Sequence, residues 1–368
     1  MPKTRLQSSD RRKRPKMGNN ESNPIRNLDK RTARRQYRAQ FARAIAEYRF
    51  GSSCSRGQAE QKPIPGDGGG VRVCVRKRPI FRHEIDNSEF DCITASGGGV
   101  VVHDARMHAD MRRLMMSHHT FLFDGVFDEF ASSESVYSSI CLPLVHDAST
   151  GGMATCIVSG QTGSGKTYTM SSFYQQASRD VFSILQDQTE RFQLLPTVSV
   201  TFIELHGDTC MDLLNGFAQV SLLTAADQSV QPFPVVEVTV ESAESLKAMI
   251  QHGVSIRSTE ATGVHNSSSR SHAILRIYIR QGQDREGCLT LVDLAGSEQN
   301  IDSMYHTADR RKEGALINSS LLALKECVRA RAGNNPKSSA FGRSFHPFPH
   351  QRPICLKSSC GTCVVSCN

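Results

Sequence analysis

The 368-residue chain has no tryptophan, and aromatic residues make up only 7% of it, so aromatic anchors are not what organises its core. No apolar run reaches the ~18 residues that a membrane span requires, which excludes a helical span. The opening residues, MPKTRLQSSDRRKRPK, lack the apolar stretch of a secretory signal. Up to Cys327 the cysteines lie singly, in no spacing that would build a disulfide framework. Together these absences lead us to expect a soluble intracellular protein in a reducing compartment. At 38% hydrophobic and 22% charged, the chain can bury one large core or two smaller ones.

What the sequence does have is an uneven charge. The net charge is +8, yet residues 1–50 alone hold fifteen Lys and Arg against four acids, a local +11 that leaves −3 for the remaining 318 residues. The basic character therefore belongs to the N-terminal arm and points to an acidic partner, a polyanion or an acidic protein surface; the plainer reading is a solvated tail. Residues 1–27 are basic and rich in Asn, Ser and Pro, and read as a disordered arm. Over residues 28–50, Tyr37, Phe41, Ile45 and Tyr48 recur at helical spacing among Arg and Ala, predicting a basic amphipathic helix. Residues 51–70 form a Gly/Pro/Ser-rich linker, and the globular part begins at Val71.

From Val71 onward strands alternate with helices. Val71–Val75, Ala154–Val158, Thr197–Leu205, Ala273–Ile279 and Cys288–Val292 read as strands. Ser135–Asp147, Ser178–Thr189, Ser245–Gln251 and Lys312–Arg331 read as helices. The alternation predicts an α/β fold with a central, mostly parallel sheet covered by helices on both faces. No internal repeat and no long heptad run is present.

The strongest local signal is Gly160-Gln161-Thr162-Gly163-Ser164-Gly165-Lys166-Thr167, a complete G-x-x-x-x-G-K-[ST]. Glycines at three of these positions let the backbone fold tightly enough for its N–H groups to face a phosphate. Lys166 brings charge to the terminal phosphates, and Thr167 offers a hydroxyl to Mg²⁺. The apolar run Leu289-Thr-Leu-Val-Asp293 ends in a carboxylate, as the metal-side strand of a P-loop NTPase does. The pair indicates an NTPase without saying which.

Four motifs in order then resemble the kinesin superfamily over Val71 to about Arg331. GQTGSGKTYTM at Gly160–Met170 looks like its P-loop, Ser268-Ser-Arg-Ser-His272 its switch I and Asp293-Leu-Ala-Gly-Ser-Glu298 its switch II; Arg76-Lys-Arg-Pro79 resembles the stretch beside the adenine. Within the superfamily the likeness is greatest to the internal-motor, microtubule-depolymerising class (the thirteenth family), through Val73–Pro79, Leu321–Val328 and the basic helix preceding the motor. This implies removal of tubulin from microtubule ends; a translocating kinesin and a non-catalytic microtubule-binding module of the same fold are the alternatives.

The resemblance implies the P-loop NTPase motor fold, ATP and Mg²⁺ as cofactors, microtubule-stimulated ATP hydrolysis and tubulin as partner, with no nucleic acid or membrane partner and a place on the microtubule cytoskeleton. It assigns the phosphates to Gly160–Thr167, and the metal to Thr167 and Ser269, with Asp293 acting through water. Arg76, Arg78, Pro79 and Tyr168 would line the adenine side. Ser268 would help to place the attacking water, and Gly296 would sense the γ-phosphate. Arg270 and Glu298 would form the salt bridge between the switches. Asn318, Lys325, Glu326 and Cys327 would face tubulin.

The sequence departs from the family pattern at His265, where Asn is usual, and at Ser159, where an aromatic is usual. Leu316 and Ser319 replace an acid and a base, and His108-Ala109-Asp110 stands where depolymerising kinesins carry Lys-Val-Asp. Residues 332–368 read as a divergent or truncated motor end: Pro347-Phe348 and Thr362–Ser366 echo the expected stretch and strand, and the closing helix is missing. Cys355, Cys360, Cys363 and Cys367 there match no common zinc or iron–sulfur spacing.

Overall fold

The computed structural model describes residues 30–53, 71–96, 98–107, 113–192, 196–207, 209–224, 230–263, 270–282, 285–297, 315–324, 326 and 360–367. Two helices, α1 (Lys30–Gln36) and α2 (Arg38–Ser53), lead to strand β1 (Val71–Arg76) and the short helix α3 (Arg82–Asp86). Next come β2 (Ile93–Ser96), β3 (Gly99–Met107) and β4 (Leu114–Leu122), an antiparallel sheet of their own, and then β5 (Gly125–Phe127). The chain continues through α4 (Ser133–Ile140), α5 (Leu142–Ser149), β6 (Met153–Gly160) and α6 (Lys166–Phe192). Strands β7 (Pro196–His206), β8 (Thr209–Asp212), β9 (Ala218–Thr224), β10 (Val230–Phe233) and β11 (Val238–Val240) precede α7 (Ala243–Gly263). The long hairpin β12 (His272–Gln281) and β13 (Arg285–Asp293), helical residues 315–324, and β14 (Cys360–Cys367) complete the described structure.

The central sheet runs β10-β9-β8-β7-β12-β13-β6-β14-β1-β5, with β11 on β7. From β13 through β6, β14 and β1 to β5 all pairings are parallel. Beyond β13 they are antiparallel. The mostly parallel sheet expected from the sequence is thus confined to the half that carries the glycine loop. The C-terminal strand echo at Thr362–Ser366 lies within β14, which fills the slot between β1 and β6.

Both faces of the sheet are covered, and the alternation of side chains along each strand decides which residue faces which layer. Cys156, Val158, Phe202, Leu275 and Leu291 face the layer of α4–α7, packing against Tyr137, Ile140, Phe173, Val181 and Leu246. Their neighbours Ile157, Ile203, Leu205, Ile274 and Val292 face the other way, toward Ile317, Leu321 and Leu324 of the helix at 315–324. Two predicted helices prove too short. In α6, Met170, Phe173, Tyr174, Ala177, Val181 and Leu185 form one buried stripe, so the helix starts at Lys166 instead of Ser178. Helix α7 likewise runs from Ala243 to Gly263, well beyond Ser245–Gln251. The single helix expected over Ser135–Asp147 is two, α4 and α5, meeting at Cys141. Pro143 sits in the first turn of α5, where a missing N–H costs nothing.

The predicted N-terminal helix forms, breaks at Tyr37, and extends to Ser53, three residues into the expected linker. This helix packs on its own domain. Ala33, Phe41 and Ile45 are fully buried, and Phe41 stacks on Phe90 at 6.1 Å between ring centres. Tyr48 stacks on His118 at 4.2 Å and meets His103 edge-on at 5.0 Å. Its arginines are used inward as well. Arg34 binds Asp104 and the Ala105 carbonyl, Arg35 binds Glu89, Arg38 donates to the Ile85 carbonyl, and Arg49 holds Asp91, Thr94 and the Ile93 carbonyl.

Two outcomes follow for stability. His103 is fully buried and shares an Nδ1···Nδ1 hydrogen bond of 2.7 Å with His118, which needs one ring nitrogen bare. Burial first, then His118 and Arg49, push its pKa down from 6.5 to about 4. Because the unfolded chain takes up this proton near 6.5 and the folded one only near 4, stability should be complete above pH 6.5 and decline as the pH falls toward 4. Urea melts across that window should show the decline, and a His103→Gln chain should show a shallower one. Gly287 packs against α5 so closely that an added Cβ would lie 1.9 Å from the Ala148 carbonyl oxygen, backbone that cannot swing aside. Gly287→Ala should therefore lower stability by about 3 kcal/mol, measured as a shift in denaturation midpoint.

Candidate functional site

The glycine loop leaves β6 at Gly160 and enters α6 at Lys166. Gly163 and Gly165 hold φ of 79° and 95°, and nothing lies within 4 Å of where a Cβ would sit on either, so handedness, not crowding, demands glycine there. The loop closes on itself through Ser164 N–H to the Gln161 carbonyl, and α6 takes up its first turn with Thr169 N–H on the Gly165 carbonyl. Lys166 is buried, its Nζ donating to the Gln161 carbonyl at 3.0 Å. Gln161, Thr162 and Gly163 face solvent at the mouth of this cradle.

Sheet register delivers the partner carboxylate. Asp293, the last residue of β13, stands opposite Val158 of β6. The chain beyond it keeps following the loop, with Leu294 N–H on the Val158 carbonyl and Ser297 N–H on the Gly160 carbonyl, each at 3.1 Å. Thr167 Oγ1 donates to Asp293 Oδ2 at 3.2 Å across a separation of 126 residues. Arg257 Nη1 donates to the same oxygen at 3.0 Å. Arg257 also donates from Nε to Glu204 at 3.1 Å and from Nη2 to the Ser271 carbonyl at 3.0 Å, while the Ser271 hydroxyl donates to Glu204. Burial alone would lower the Arg257 pKa, but Asp293 and Glu204 outweigh it and raise it. The other Asp293 oxygen, Oδ1, is buried and has no hydrogen-bond partner among the described residues.

His272 begins β12, buried between the segment after β13 and the helix at 315–324. Ala295 N–H donates to its Nδ1 at 3.1 Å, and its Nε2 lies 2.9 Å from Ser320 Oγ. Burial, then the Arg257 charge, push its pKa down to about 4, so the ring is neutral at ordinary pH.

On the far side of the loop, Arg76 donates to Thr169 Oγ1 at 3.0 Å and Ser133 Oγ at 2.9 Å, with its guanidinium 5.4 Å above the Tyr168 ring. Tyr168 and Pro79 are exposed, open to a flat ring system. Arg78 is turned to α3, bound to Glu84 and lying over Phe81, and its hydrogen bond holds the Glu84 carboxyl near 2. Arg270 is half-buried in the turn into β12, and Gly296 is buried beside the loop. Asn318 and Glu326 are exposed. Ser268, Ser269, Glu298, Lys325, Cys327, His265 and the His108–Asp110 tip lie outside the described residues.

The residues present fit a magnesium-bound nucleoside triphosphate. A glycine cradle stands at a helix N-terminus, with a buried lysine, a threonine hydroxyl and a carboxylate whose second oxygen lacks a hydrogen-bond partner among the described residues. Thr167 and Asp293 would hold the metal, which would draw charge from the β- and γ-phosphate oxygens.

The kinesin motor domain family matches residues 76–345, well over half of the sequence. This chain belongs to the kinesin motor domain family. Diatom spindle kinesin-1 of Cylindrotheca fusiformis is 38% identical over 262 residues, 71% of this chain, which spans 41% of that relative's length. The solved structure of a fast kinesin superposes with a TM-score of 0.69 at 25% identity, over 82% of this chain and 85% of the other. The kinesin crystal structures of mutants that reveal a signalling pathway for activation of the motor ATPase give 0.64 at 24% identity, over 81% and 91%.

Within this kinesin motor domain, sequence reasoning passed over Glu204, Arg257 and His272. A signal for the first existed: Glu204 is a lone carboxylate inside the apolar run Thr197–Leu205, and a charge placed there needs a buried partner. Arg257 carries no such mark in the sequence, and His272 was read only as the last letter of a motif.

Lys166→Ala should reduce affinity for ATP by at least about a hundredfold while leaving the fold intact, as read by nucleotide titration and circular dichroism. Arg257→Ala should cost about 3–5 kcal/mol of stability by stranding two buried carboxylates. Arg257→Lys should recover little of it, because an ammonium cannot reach Asp293, Glu204 and the Ser271 carbonyl together; chemical denaturation of the three chains tests this.

Proposed function

We propose that this kinesin motor domain hydrolyses ATP with Mg²⁺ and couples the turnover to binding of microtubules. The observation that carries the reading is the junction of the glycine loop with the end of β13. Thr167 and Asp293 are in contact, and the Ser297 N–H binds the Gly160 carbonyl, so a γ-phosphate held by the loop would press on the segment that continues toward helix 315–324. Catalysis of this type rests on positioning and electrostatics, and the two switch segments respond to the presence of the phosphate. Asn318, Leu322 and Glu326 form the outward stripe of that helix, with Leu322 54% exposed, and supply the surface for tubulin. Its place would be on the microtubule cytoskeleton.

The finer reading is removal of tubulin from microtubule ends, supported by the likeness of Val73–Pro79 and Leu321–Val328 to the depolymerising class. A translocating motor is the second reading. It is favoured by Arg34, Arg35 and Arg49 of α1 and α2, which bind Asp104, Glu89 and Asp91 of the domain itself, and by His108-Ala109-Asp110 at the tip position.

ATP turnover of the purified chain with and without stabilised microtubules, assayed together with tubulin released to the supernatant, decides between them. Microtubule-stimulated turnover with release supports the depolymerase, and stimulation with intact polymer supports the translocator. Absence of stimulation sinks the motor reading.

A further inference from the structure

We propose that His272 is a positioning residue that joins the segment after β13 to the helix at 315–324, so that movement beside the phosphates is passed to the exposed face of that helix. The inference rests on the motor reading above and names the atoms of the link.

The polarity of the link is fixed from both ends. Ala295 N–H must donate, so His272 Nδ1 accepts and carries no proton. The Ser320 hydroxyl donates to the Ile317 carbonyl at 2.7 Å, so its oxygen is left to accept from His272 Nε2–H. Both ends require the same neutral tautomer, protonated on Nε2. The chain therefore runs Ala295 N–H to Nδ1, Nε2–H to Ser320 Oγ, and Ser320 O–H to the Ile317 carbonyl, one buried path from two residues past Asp293 into the helix backbone.

Burial makes the path stiff. His272 is 4% exposed, Ser320 2% and Ala295 0%, so water cannot stand in for a broken bond. Apolar packing on both sides of the path, by Leu294 and by Leu321 and Leu324, holds the helix to the sheet but has no direction. The imidazole supplies the directional contact: a shift of the Ala295 N–H moves the ring, and the ring moves Ser320. Asn318 and Leu322, two residues to either side of Ser320, then carry the shift to the outer face.

The test uses Ser320→Ala, which removes the helix end of the link and leaves the nucleotide residues alone. Basal ATP turnover should stay within about twofold of the parent, while microtubule-stimulated turnover should fall about tenfold. His272→Asn keeps an acceptor for Ala295 N–H and removes the donor to Ser320. The double variant should be no worse than Ser320→Ala alone, because both cut one path.

Hydrogen–deuterium exchange of residues 315–324, with and without a non-hydrolysable ATP analogue, reads the link with no microtubule present. The parent should show a nucleotide-dependent change there, and Ser320→Ala should lose it. Ser320→Ala with full stimulation and an unchanged exchange response would overturn the link even though the motor reading stood. A parent that shows the exchange response without microtubule stimulation would support the link while the motor reading failed. A fall in thermal stability with an unchanged stimulation ratio would mark His272 as structural only, and overturn the proposal.

Discussion

The carboxylate of Asp293 is the group on which the rest of the site depends. It lies at the end of a strand buried on both faces, where an unpaired charge would be prohibitive. One of its oxygens is held by Thr167 and Arg257, and this pairing fixes three elements at once: the first turn of α6, the middle of α7 and the end of β13. Arg257 also binds Glu204, so two carboxylates share one guanidinium. That sharing, together with an Oδ1 that has no hydrogen-bond partner among the described residues, is an electrostatic reason for a divalent cation to favour this place.

The same principle, opposite charges brought together out of water, decides the fate of the basic N-terminal helix. A run of arginines on an isolated segment reads as a surface seeking a polyanion. Here Asp91 accepts from both Arg49 and Lys77, and Lys77 in turn holds Glu129, so α2 is linked by ion pairs to the end of β1, next to Arg76. Lys77 is buried, so the attraction in its pairs is offset by the cost of removing the charges from water. The buried Phe41 and Ile45 fasten the helix, and the ion pairs set its orientation.

The two faces of the sheet divide the labour. The face under α4–α7 is, among the described residues, the larger apolar core, and it carries the long helix that begins in the glycine loop. The opposite face holds helix 315–324 by Ile317, Leu321 and Leu324, in a smaller apolar cluster among the described residues. The start of β12 and the end of β13 border that face.

The sequence by itself determined the glycine loop, the strand ending in Asp293, the order of the motifs and the amphipathic N-terminal helix. These are local patterns: a turn that needs positive φ, a fully apolar strand, a 3.6-residue period. With those patterns the family could be recognised. The tertiary structure alone decided what depends on register and on residues far apart in the chain. It divided the sheet into parallel and antiparallel halves and put β14 between β1 and β6. It extended α6 and α7, because burial along a whole stripe outweighs the weaker signals at helix ends. It turned Arg34 and Arg49 inward and brought Glu204, Arg257 and His272 to the site. A lone arginine on a helix and a glutamate on a strand 53 residues away carry no mark of each other until folding has excluded the water between them.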